Sequence, residues 1–140
     1  MSKRRKTRDE IILLKILDLH TEIVDAIKNY KISSTQVFAH SDPILKRGLI
    51  HAAGDMFELT KNLTDAIKSK VGVNNDFIKS FRNKVAHNYG AIAAVEAYAW
   101  VTHCASKDVK KNILSAIDEI IANETPKHGE QPSLRESNQS

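Results

Sequence analysis

A chain of 140 residues, 41% hydrophobic and 27% charged, has the size and composition of one ordinary globular domain. It has no apolar run of the roughly 18 residues a membrane span needs. Its charged opening residues are not expected to act as a secretory leader. A single cysteine, Cys104, excludes an internal disulfide and fits a reducing cytoplasm, and no His/Cys spacing predicts a metal site.

The net charge of +4 is concentrated at one end. Lys3, Arg4, Arg5, Lys6 and Arg8 precede the first acid, Asp9; without them the 21 Lys and Arg no longer outnumber the 17 Asp and Glu. Residues 1–8 are therefore read as a basic arm, which either contacts nucleic-acid phosphates, through Arg4 and Arg5 among others, or serves as a solubilising terminus.

A first helix is expected from Thr7 to about Tyr30, with Leu13, Leu17, Ile23, Val24 and Ile27 at helical spacing. Further apolar residues, among them Ile11, Ile12 and Ile16, widen that face enough to predict contact with both the core and a second subunit. Lys31 to Ser41 reads as a polar loop from which Val37 and Phe38 can pack back. Asp42-Pro43 is a helix start, Asp as cap and Pro at the first position, and one long helix is expected to run to about Lys70. Gly54 inside it predicts a close approach by another helix, a dimer partner being one candidate. A turn at residues 71–75 precedes a third helix that points Phe77, Ile78, Phe81 and Val85 inward and ends near Tyr89-Gly90. A fourth helix spans Ile92 to His103 and carries Trp100. A fifth, capped by Ser106 or Asp108, runs to about Ala122. The tail, 124–140, is polar and aromatic-free and is expected to be disordered. The helical domain is thus 9–123, and the fold class is all-α: an up-and-down bundle of four to five helices.

The third helix carries the chemistry. Arg82-Asn83-Lys84-Val85-Ala86-His87-Asn88-Tyr89 sets a guanidinium, an amide, an imidazole and a phenol within about two turns. Arg presents a planar fork of donors that matches phosphate, and His exchanges a proton near neutral pH. These are the groups needed to cut a phosphodiester without a metal. At about 100° per residue, Arg82 and Tyr89 share one border of the core sector, Asn83 and His87 lie together on the other side, and Arg82 and His87 stand roughly 140° apart. One straight helix cannot focus that Arg and His on a single phosphate, whereas two such helices meeting about a two-fold axis can. The small Ala86 between them permits close approach. The angles predict a composite site at a homodimer interface, with higher assembly left open.

The octapeptide fits the Arg-x4-His-x-Tyr pattern and resembles the HepT-like toxins of the HEPN superfamily. Gly54-Asp55 is similar to the Gly-Glu at the same place in many relatives, and the plan from about Asp9 to Ala122 follows theirs. The resemblance implies a HEPN-like fold and a metal-independent endoribonuclease acting as the toxin of a toxin–antitoxin pair. It needs no cofactor, and its substrate is transfer or messenger RNA. The implied partner is a minimal nucleotidyltransferase that neutralises the toxin by AMPylation of Tyr89. The resemblance carries over Arg82 and His87 as catalytic, Asn83 as the polar residue after Arg, and Asp55 as a possible supporting acid. Lys79 joins Arg4 and Arg5 as a candidate RNA contact.

In a mechanism consistent with these groups, the RNA 2′-OH attacks the adjacent phosphorus and the 5′-oxygen leaves. His87 serves as base or acid and Arg82 offsets charge on the non-bridging oxygens. DNA lacks the 2′-OH and is expected to be spared. Two other readings stay open: a non-catalytic binding module that delivers substrates to a nucleotidyltransferase, and a structural dimer that uses the Arg82–His87 region for packing. His51 and Asp55, four apart on one helix face, read as a structural pair.

Overall fold

A computed structural model describes residues 5–72, 75–88 and 93–124; the side chains of 75, 77, 85–88 and 124 are outside that description. The described residues are all-helical, in a helical bundle. Among the described residues seven helices follow one another: α1 (Arg8–Asn29), α2 (Thr35–Ala39), α3 (Pro43–Lys61), α4 (Asp65–Val71), α5 (Asn75–Asn88), α6 (Ala94–Cys104) and α7 (Lys107–Glu124).

Local sequence explains most of the boundaries. The Thr7 hydroxyl accepts from the Glu10 amide and starts α1. Asp42 accepts from the amides of Ile44 and Leu45, with Pro43 at the first position of α3. Of the two residues considered for the last cap, it is Ser106 that accepts from the Val109 amide to open α7. Gly72 closes α4 with φ +78, a conformation L side chains rarely adopt.

Two expectations are corrected. The segment read as a loop, 31–41, contains α2: Ser34 caps it through the Val37 amide, and the buried Phe38 anchors it against Tyr98 of α6 at a centroid distance of 5.7 Å. The long second helix does not reach Lys70 unbroken, because it stops at Lys61 and a new helix begins at Asp65. The break is held from a distance. Asp9 at the start of α1 accepts from the Thr64 amide at 3.1 Å and from its hydroxyl at 2.7 Å, and Leu63 turns inward. Those two breaks, and not any new fold class, account for seven helices where four to five were expected.

The core is one cluster built from nearly every helix. Leu13, Ile16 and Ile23 of α1 meet Ala53, Met56 and Phe57 of α3, Trp100 and Val101 of α6, and Ile113 of α7. α1 packs on α3 and α7, α2 on α6, and α4 on α7. His20 is a buried exception to the apolar rule: its Nε2 lies 2.8 Å from the Ser106 carbonyl and donates to it, tying α1 to the α6–α7 corner. Of the wide apolar face of α1, Ile12 and Ile16 are buried and Ile11 is exposed.

Candidate functional site

The candidate site is the surface of α5, and its position is set by what lies beneath it. Ile78 and Phe81 are buried, as the helical wheel requires. The Phe81 ring stands edge-on to Phe57 of α3, at 5.3 Å and 69°, and to Trp100 of α6, at 4.9 Å and 75°. Such edge-to-face pairs have preferred geometries, so the ring is held from two sides. A Cβ added at Gly54 would fall 2.5 Å from Phe81 Cζ. The close approach expected at Gly54 is therefore made by α5 of the same chain.

With Phe81 pinned inward, the next residues face solvent. Arg82 and Asn83 are exposed, and so is Lys79, one turn before them. Arg82 Nε lies 3.9 Å from Glu58 Oε2 of α3, the two side chains being 57% and 58% exposed. Glu58 also takes the Lys61 ammonium at 3.5 Å. An exposed pair of this kind contributes only about 0.2–1 kcal/mol. Glu58 therefore holds the guanidinium only weakly. On the other flank, Glu96 of α6 accepts from the Ser80 hydroxyl at 2.9 Å and faces the Lys84 ammonium at 3.9 Å. Two helices thus hold α5 by carboxylates on either side of its exposed ridge.

The remaining candidates separate into three groups. Asp55 pairs with His51 across one turn of α3, Oδ2 to Nε2 at 3.6 Å, with both side chains exposed. Arg5 is exposed at the start of the described chain, before α1. His87 belongs to α5 by its backbone, but its side chain lies outside the described residues, as do Tyr89 and Arg4 entirely. Sequence reading missed Glu58. The available signal was its place one turn beyond Asp55, on the helix face that Gly54 brings against α5.

Other chemistries find little support among the described residues. No group of three or more His, Cys, Asp or Glu side chains is placed to hold a metal ion. Burial pushes the Cys104 thiol up to about 12, far from the thiolate a nucleophile needs. Burial also lowers His103, which favours its neutral ring. No helix among the described residues is long and apolar enough to cross a membrane. Compared with models of known protein families, with curated proteins and with solved structures, the chain matches none of them.

Proposed function

We propose that this chain is a metal-independent endoribonuclease of the HepT-like, HEPN kind: a cytoplasmic toxin that works as a homodimer and is neutralised by a minimal nucleotidyltransferase. One observation carries the reading. Arg82 and Asn83 stand exposed on α5, with the guanidinium 3.9 Å from the exposed Glu58 carboxylate, on the helix whose next turn brings His87.

Paired about a two-fold axis, two α5 helices supply two Arg82, two Asn83 and two His87 to one cleft. An RNA phosphate replaces Glu58 on Arg82. One His87 takes the 2′-OH proton and the other returns a proton to the leaving 5′-oxygen, which leaves a 2′,3′-cyclic phosphate. Arg82 stabilises the charge that builds on the phosphorane oxygens, and Lys79 and the basic arm with Arg4 and Arg5 hold the flanking phosphates. AMP on Tyr89 sets bulk and negative charge beside Arg82 and closes the cleft.

The test is growth of a bacterial host expressing the chain alone, beside His87→Ala at matched soluble levels, followed by cleavage of RNA in excess chelator. Arrest and metal-free cleavage by the parent, with cyclic-phosphate ends, are expected; both are lost in the variant, and a 2′-deoxy oligonucleotide stays intact. An intact, folded dimer that cleaves no RNA would overturn the reading in favour of a non-catalytic binding module.

A further inference from the structure

α3 carries two glycines with opposite surroundings. Gly54 is covered by the Phe81 ring, whereas a Cβ on Gly48 would meet nothing within 4 Å. Glycine inside a helix carries a conformational cost. Nothing in the described packing requires it at position 48. Gly48 instead floors a cavity of about 730 Å³ between α1 and α3, with Ala26 and Ala52 beside it. At its rim stand Ile44 and Tyr30, 76% and 63% exposed. Large apolar side chains so open to water, grouped round a small-residue floor, mark an interaction surface more often than scattered ones do.

A second depression, about 440 Å³, continues the groove along the same two helices and shares Glu22 with the first. The walls are acidic. Glu22 and Asp42 border the first depression; Asp18, Glu22, Asp55 and Glu58 border the second, where Asp55 faces His51 and Glu58 faces Lys61 and Arg82; among the described residues that line either, Lys15 is the one base. From Lys15 to Tyr30 the groove follows α1 for about 22 Å, some four turns of helix.

We propose that this groove docks an amphipathic helix of a protein partner, with apolar side chains seated over Gly48 and lysines or arginines against the carboxylate walls. Its charge selects the occupant. A nucleic acid meets the carboxylates of Asp18 and Glu22 midway along the groove, and a second copy laid face to face about a two-fold axis sets carboxylate against carboxylate. The helix-in-groove mode needs an apolar floor and anchors at helical spacing. The groove belongs to α1 and α3 and stands whether or not α5 cleaves RNA.

The experiment titrates the full chain into a fluorescein-labelled 18-residue synthetic helix, leucine along one face and lysine along the other. The same peptide with glutamate for lysine is the control, and anisotropy is read at physiological salt. The lysine peptide is expected to bind at least tenfold more tightly than the glutamate peptide. Gly48→Gln, whose new side chain starts in open space, is expected to weaken it tenfold or more while circular dichroism and Trp100 fluorescence stay unchanged. Ile44→Ser, at an exposed position that cannot unfold the chain, is expected to weaken it in the same direction. Equal binding of both peptides, binding of neither, or undiminished binding in both variants would overturn the proposal. So would a chain that sediments as a dimer and is dissociated by Gly48→Gln, since a second copy would then own the face.

Discussion

Phe81 occupies the space a side chain at residue 54 would need: its Cζ lies 2.5 Å from where a Cβ on Gly54 would stand. That one contact sets how closely α5 lies on α3, and because Arg82 follows Phe81 it also sets where the guanidinium meets Glu58. The glycine of one helix and the aromatic of another thus position the candidate site from below.

Gly54→Ala tests this. Alanine favours a helix over glycine by about 1 kcal/mol, yet the Phe81 ring is braced by Phe57 and Trp100. Overpacking costs about 1–3 kcal/mol, so a net loss of stability is expected. Urea unfolding followed by the single tryptophan, Trp100, reads it. A variant as stable as the parent would show that the ring yields.

Gly48→Ala on the same helix is expected to do the reverse. With nothing within 4 Å of the new Cβ, only the gain in helix preference and the loss of unfolded-state freedom remain, about 0.5–1 kcal/mol of stabilisation. The same unfolding experiment should show a raised midpoint, and a lowered one would mean that this position is packed in solution.

Arg82→Ala separates chemistry from packing. The guanidinium makes one exposed ion pair among the described residues, so stability should change by no more than about 0.5 kcal/mol. If Arg82 offsets transition-state charge, RNA cleavage should fall about 10²–10³-fold. Glu58→Gln, which frees Arg82, should keep cleavage and tighten binding of a 2′-deoxy oligonucleotide. A large loss of stability in Arg82→Ala, with cleavage of the remaining folded fraction unchanged, would make this region a packing element instead.

Cys104 predicts an alkaline weakness. Its Sγ faces the Ala53 carbonyl at 4.0 Å, and burial pushes the thiol from 9.0 up to about 12. Between those values the folded chain keeps a proton that the unfolded chain releases. Stability therefore falls as pH rises through that window, by up to about 1.4 kcal/mol per pH unit from this group. Midpoints measured at increasing pH should fall more steeply for the parent than for Cys104→Ala, and iodoacetamide should label the native protein only as fast as it opens. Parallel curves for parent and variant would remove Cys104 as the cause.

Much of the secondary structure was legible in the chain because helices announce themselves locally. The caps at Thr7, Asp42 and Ser106 act within three residues, and the apolar spacing that includes Leu13 and Ile23 names a buried face without naming its neighbour. The same periodicity placed Ile78 and Phe81 inward and Arg82 on the border of the core sector, where the structure leaves it exposed. Two local signals were outweighed by distant ones. The polar stretch 31–41 became α2 because Phe38 found Tyr98, and the long helix predicted from Asp42 broke where Asp9 took Thr64.

What the sequence determined by itself was the class of fold, the helix faces and the group of residues worth testing, because these depend on spacings of three and four along one strand of chain. Tertiary structure alone decided that Gly54 serves Phe81, that Glu58 rather than Asp55 faces Arg82, and that the groove over Gly48 stays open between acidic walls. Each of those facts is a meeting of residues far apart in the chain, brought together by burial, which is not directional and leaves no local mark on the residues it joins.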